Sequence, residues 1–194
     1  MEKAINSKRD GIFNMVFVLT IICAVSALLL SIVFNVTKEP IAMQKRLEMI
    51  NAIKSVLPKD TVNDPLKDKI EINKREIYIG KDKSGNITGV AFKCVTNEGY
   101  GGKIEIMLGL KPDGTINAIE ILSHSETPGL GAKITEKWFK DQFKGRNLKN
   151  THWKVKKDGG DIDQITGATI SPRAVTKAIY NGLLFYEKIK GEIK

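Results

Sequence analysis

Two cysteines and two histidines stand in a chain of 194 residues. That is too little material for a disulfide framework, a cysteine-rich zinc site or an iron–sulfur centre, so no metal site is expected. His124 and His152 are isolated, and no Ser/His/Asp or Cys/His arrangement presents itself, which leaves a hydrolytic enzyme unsupported. There is no internal repeat and no low-complexity segment. Lys+Arg 31 against Asp+Glu 22 gives a net charge of +9, yet the lysines are spread along the chain with no arginine-rich run. Such a surface suits anionic lipid headgroups better than nucleic acid, which is not expected as a partner. A mean hydropathy of −0.17 excludes a polytopic membrane protein. A hydrophobic share of 42% excludes a disordered polycation.

Charge is missing altogether from Gly11 to Thr37, where Ile12–Phe34 reads IFNMVFVLTIICAVSALLLSIVF. As a helix that stretch reaches ~35 Å, enough for a hydrocarbon core of ~30 Å. It exceeds the apolar core of a cleavable signal peptide and runs past the small-residue patch Ala24-Val25-Ser26. A retained single span over residues 11–37 is therefore expected. Lys3, Lys8 and Arg9 before it are balanced by Lys38, Lys45, Arg46 and Lys54 after it, so charge alone leaves the orientation open. Cys23 in the span and Cys94 in a predicted strand read as small packed residues.

Pro40 and the spacing Ile41, Leu47, Ile50, Ile53, Leu57 predict an amphipathic helix over Lys38–Leu57, followed by a charged surface connection to Arg75. Alternating segments at Glu76–Ile79, Ile87–Val95, Lys103–Leu110 and Ile116–Leu122, joined by short turns, predict an antiparallel sheet. A helix is predicted over Gly131–Phe143, its aromatic stripe including Trp138 packed as core, with a short strand at Thr151–Val155. A last helix begins with Ser171 as N-cap and Pro172 at N1, burying Val175, Ile179 and Leu183. The fold class is α+β, mainly an antiparallel sheet with flanking helices behind one N-terminal transmembrane helix. Residues 38–75 form a helical connector and 76–194 the soluble domain.

Three segments exceed what packing needs. Gly99-Tyr100-Gly101-Gly102 permits close backbone approach to a flat or anionic group, or is simply a flexible turn. Glu126-Thr127-Pro128-Gly129-Leu130-Gly131-Ala132-Lys133 has more glycine and proline than a turn requires and leads into a helix N-terminus, a natural anion site. Asp163-Gln164-Ile165-Thr166-Gly167-Ala168-Thr169 places two hydroxyls around Gly-Ala just before the last helix. A phosphate at Thr169 would meet that helix's N–H groups; the simpler alternative is a capping turn.

This last segment, D-Q-I-T-G-A-T, resembles the flavinylation signature D-x-x-[ST]-G-A-[ST] of FMN-binding domains, in which FMN is joined to the final hydroxyl by a phosphoester bond. The E-T-P-G-L-G-A-K and G-Y-G-G segments resemble the same family in the same order. The chain is similar to the G subunits of the Rnf complex, the ion-translocating ferredoxin:NAD oxidoreductase. It also resembles the C subunits of the sodium-pumping NADH:quinone oxidoreductase, a close relative and an alternative reading. The resemblance implies FMN covalently bound at Thr169, with Asp163 and Thr166 belonging to the signature read by a separate flavin transferase. Gly167 and Ala168 would leave the backbone open. Glu126 and Thr127 would be polar contacts of the flavin and Leu130 an apolar one. Gly129, Gly131, Lys133, Tyr100 and Gly101 would complete the site, with no catalytic residue in the chain itself. It further implies a cytoplasmic tail over residues 1–10, an extracytoplasmic C-terminal domain, and electron transfer with other subunits, one of them a flavin-carrying membrane subunit. A stand-alone anchored flavoprotein reductase and a non-redox assembly subunit are the competing classes.

Overall fold

In the computed structural model, residues 2–193 are described, with side chains from Phe13 onward; the side chains of the expected tail over residues 1–10 lie outside that range. Two compact units emerge, Met1–Leu47 and Glu48–Lys194. From Glu2 onward the first is helical. Helix α1 runs Glu2–Val56 without a break at Pro40, although proline removes one backbone bond there. The carbonyl that loses its donor is that of Val36, while the nearby Thr37 hydroxyl donates back to the Val33 carbonyl at 2.8 Å. Phe13, Phe17, Leu30 and Phe34 are all exposed, as are the apolar residues between them. A helix apolar on every side and buried on none matches lipid rather than water, and this one is long and apolar enough to cross a membrane.

The second unit is built on an antiparallel meander of five strands in sequence order: β1 (Lys69–Ile72), β2 (Arg75–Lys81), β3 (Ile87–Gly99), β4 (Gly102–Leu110) and β5 (Ile116–His124). Successive residues point to opposite faces. Val90, Phe92 and Cys94 on β3 join Ile104, Ile106, Leu108 and Leu110 on β4 in the main core. Helix α3 (Ile170–Ile189) covers that face with Val175, Ile179 and Leu183, the stripe expected from its spacing. Ala91 and Met107 face the other way, against Ala52, Ile53, Val56 and Leu57. Gly109 makes this second contact possible, because a Cβ there would run into the Val56 backbone. The Asn117 side chain donates to the Val56 carbonyl at 2.8 Å and so ties down the end of α1.

The second compact unit takes in Glu48–Leu57, because Ile53 and Leu57 are core, whereas Ile41 and Leu47 are exposed. Three expectations are revised. β1 lies inside the expected surface connection, paired through Ile72↔Arg75 across a turn in which Asn73 and Lys74 both have positive φ. The predicted helix over Gly131–Phe143 is split: a 3₁₀ turn at Gly131–Thr135, extended backbone at Glu136, then α2 (Lys137–Asp141). The break rotates Trp138 out to solvent, 45% exposed, while Ile134, Phe139 and Phe143 remain core. The strand expected at Thr151–Val155 reduces to one bridge, Val155↔Ile162.

Candidate functional site

Two of the three glycine-bearing segments, 99–102 and 126–133, meet the start of α3 at one carboxylate. Glu126 follows β5 and is only 5% exposed. Its Oε1 accepts the Gly101 N–H at 3.1 Å, and its Oε2 accepts the Ser171 hydroxyl at 2.5 Å. One side chain thereby joins the β3–β4 turn, the 126–133 loop and the first turn of α3. The glycines around it leave the room it needs. A Cβ on Gly131 would lie 2.5 Å from both Glu126 Oε2 and Ser171 Oγ, and one on Gly99 would overlap Glu126 Oε1. A Cβ on Gly101 would strike the Ser125 carbonyl. The Glu126 N–H in turn donates to His124 Nδ1 at 3.1 Å.

The 126–133 loop is held by its own backbone. The Thr127 carbonyl accepts from Leu130 at 3.2 Å and Ala132 at 3.1 Å, leaving Thr127, Pro128 and Gly129 exposed. Leu130 is half-exposed and lies beside Gly167, so the loop and the T-G-A-T turn are neighbours. That turn is closed by the Ala168 N–H donating to the Ile165 carbonyl at 3.0 Å, with Gly167 at φ +77 in its third position. Thr166 and Gly167 are exposed, and Ala168 and Thr169 half-buried.

Thr169, not Ser171, occupies the cap position of α3. Its backbone is αR (φ −72, ψ −24) and its hydroxyl makes no capping bond. A capping threonine ordinarily sits in the β region with its oxygen on an early helix N–H. Here the hydroxyl is left at the mouth of a helix whose first N–H groups have no partner within the helix. Those donors and the helix dipole suit a phosphate. Ser171, expected as the cap, is instead inside the first turn and committed to Glu126, because the helix starts at Ile170.

Three further candidates stand apart from the Glu126 cluster by their contacts. The Asp163 carboxylate pairs with Lys156 at 2.7 Å, and its N–H donates to Gln142 Oε1 at 2.6 Å. The Lys133 side chain is exposed, and its N–H donates to the Leu130 carbonyl. Tyr100 is 72% exposed at the hairpin tip. Beyond Thr169, a groove of about 430 Å³ runs along α3 between Trp153, Val155, Asp158, Arg173 and Thr176. Arg173 forks onto Asp158 at 2.5 and 2.6 Å and holds that carboxyl below its ordinary value. Cys94 is buried and its thiol is pushed up to about 12 by desolvation, so it is a packed apolar group rather than a thiolate.

Residues 99–184 match the family described as FMN-binding domain, a segment that begins at the β3–β4 turn and contains all three loops. Across nearly the whole chain the similarity is closer to one group. The G subunit of the ion-translocating oxidoreductase complex of Aliivibrio fischeri strain ES114 is 33% identical over 91% of both chains. That of Cereibacter sphaeroides strain ATCC 17023 is 37% identical over 87% of this chain and 81% of its own. The chain belongs to this G-subunit family. The crystal structure of Shewanella oneidensis NqrC shares the fold, with a TM-score of 0.51 at 19% identity over 73% of each chain. The tie between Glu126 and Ser171 was invisible in the G-subunit sequence, where 45 residues separate the pair. Only the glycines around Glu126 signalled a crowded site.

Proposed function

We propose that this protein is the flavin-carrying G subunit of a membrane-bound ion-translocating ferredoxin:NAD oxidoreductase complex, with FMN esterified to Thr169. The observation that carries the reading is the Thr169 hydroxyl, free of any capping role at the mouth of α3, in a D-x-x-T-G-A-T turn inside the FMN-binding-domain match. Bonding Thr169 Oγ1 to phosphorus releases the hydroxyl proton and requires a leaving group. A separate flavin transferase would therefore act on an activated FMN of the pyrophosphate class. The helix-end N–H groups would hold the resulting phosphodiester. Gly167 and Leu130 would lie beside the bound group, and Thr127, Tyr100 and Lys133 would offer exposed polar edges near the same loops. The flavin supplies the redox chemistry when bound. Asp163 and Thr166 would be read by the transferase, in keeping with their exposure.

By the same proposal α1 spans the membrane once, residues 1–10 are cytoplasmic and the C-terminal domain is extracytoplasmic. Electrons pass between this flavin and other subunits, including a flavin-carrying membrane subunit. An ester bond is useful there, since a flavin lost to the outside is not readily replaced. The test is a denaturing gel of protein co-produced with its flavin transferase. Wild type is expected to fluoresce, with a mass increase of one FMN phosphoester, and folded Thr169→Ala to be dark. Fluorescence persisting in Thr169→Ala would overturn the assignment, and a dark wild type would return the turn to a structural role.

A further inference from the structure

Ser171 lies two residues after Thr169 in the first turn of α3, is 1% exposed, and spends its hydroxyl on Glu126. Glu126 is in turn pinned by the Gly101 N–H and enclosed by Gly99 and Gly131. The start of α3 is thus anchored to the sheet through a buried carboxylate rather than by a cap on its own end. The Arg173 N–H donates to the Thr169 carbonyl at 3.2 Å, so the turn anchored by Ser171 also fixes the Thr169 backbone. We propose that Glu126 is a positioning residue: through Ser171 it holds the first turn of α3 in place and presents the Thr169 hydroxyl to the flavin transferase already oriented. This rests on the attachment to Thr169 proposed above. It moves Glu126 from a contact of the flavin to a support beneath the attachment residue.

The physical basis is the strength and geometry of the bond. A buried hydrogen bond to a carboxyl oxygen is directional, and its loss leaves that oxygen under-satisfied. Orientation matters most where a hydroxyl must meet phosphorus in line, because a misplaced nucleophile loses rate steeply. Ser171→Ala removes only the link to α3. Glu126→Asp keeps the carboxyl group but shortens the arm by one carbon, so it cannot reach Gly101 and Ser171 together. Glu126→Gln keeps the length and can still accept from Gly101 while donating to Ser171.

The experiment measures the initial rate of flavin attachment with full-length protein, its transferase and the activated flavin, alongside thermal melting of the flavin-free protein. Ser171→Ala and Glu126→Asp are expected to lose about tenfold in rate among folded molecules, and Glu126→Gln to stay within about twofold of wild type. A purely structural role predicts lowered melting with unchanged rate. Wild-type rates in folded Ser171→Ala and Glu126→Asp would therefore overturn the proposal. Amide exchange on flavin-free wild type needs no variant: Arg173 is expected to be protected, and free exchange there would equally overturn it. A wild type that takes up no flavin, with Arg173 protected, would instead refute the attachment itself.

Discussion

At Gly131 the missing side chain makes room for two polar atoms, Glu126 Oε2 and Ser171 Oγ, each 2.5 Å from where a Cβ would sit. Gly129, two residues earlier, has φ +75 and open space around it. The two glycines should therefore respond differently. Gly131→Ala forces apart a buried hydrogen-bonded pair and is expected to destabilise the domain by about 1–3 kcal/mol. Gly129→Ala meets only backbone strain, about 1 kcal/mol. Urea unfolding of the two flavin-free variants checks the order, and equal midpoints would contradict it. Both positions were legible in the sequence as glycines beyond what a turn needs. What each glycine does was not, because close approach depends on Glu126 and Ser171, which meet only in the folded chain.

Among the elements, the end of α1 and β1 pack on the sheet ahead of residue 76. Ala52, Ile53, Val56 and Leu57 cover the sheet face carrying Tyr78, Ala91 and Met107. Ile70 and Ile72 pack on the opposite core from the edge strand. A fragment of residues 48–194 is expected to be soluble and to melt cooperatively. A fragment of residues 76–194 lacks both sets, bares the apolar sheet surface they cover, and is expected to aggregate or to bind an apolar dye. Cooperative melting of the shorter fragment would refute this account. Truncation within the longer fragment gives the same reasoning at one residue: Ile53→Ala should destabilise it by about 2–5 kcal/mol, read from urea midpoints. The strand at Lys69–Ile72 was hidden because it is four residues long and its turn, Asn73-Lys74, lacks the glycine that usually marks a two-residue hairpin.

At the scale of the molecule, among the described residues four carboxylates are held below their ordinary values by donated hydrogen bonds. Lys69 acts on Glu76, the Asn86 side chain on Asp82, Lys103 on Glu105 and Arg173 on Asp158. A carboxylate with a lowered folded value favours folding above its unfolded value, and that contribution is lost as pH falls through the folded one. Stability is therefore expected to be flat in this respect from about pH 7 to 5 and to fall below about pH 4, where unfolded Asp and Glu begin to protonate. Melting temperatures of the flavin-free domain across that range test it; a rise below about pH 4 would reverse the sign. The long apolar helix makes a separate prediction. The mature protein should keep residues 1–36 and stay with membranes through alkaline and high-salt washing. An N-terminus beyond Ser26 would show cleavage.

The apolar run before Thr37, the alternation of four strands, the α3 stripe and the D-Q-I-T-G-A-T turn were all determined by local sequence, since periodicity and turn chemistry need only near neighbours. The same local reading placed Ser171 at the cap and Trp138 in the core, and both moved in the structure. Ser171 left the cap because a buried carboxylate 45 residues away takes its hydroxyl. Trp138 left the core because extended backbone at Glu136 turns the chain between Ile134 and Phe139. Helical spacing holds only while the helix does, and a hydroxyl serves whichever acceptor the fold brings nearest. The choice at Ser171, and with it the support beneath Thr169, belongs to the tertiary structure, because it depends on groups that become neighbours only when the sheet, the loops and α3 close around Glu126.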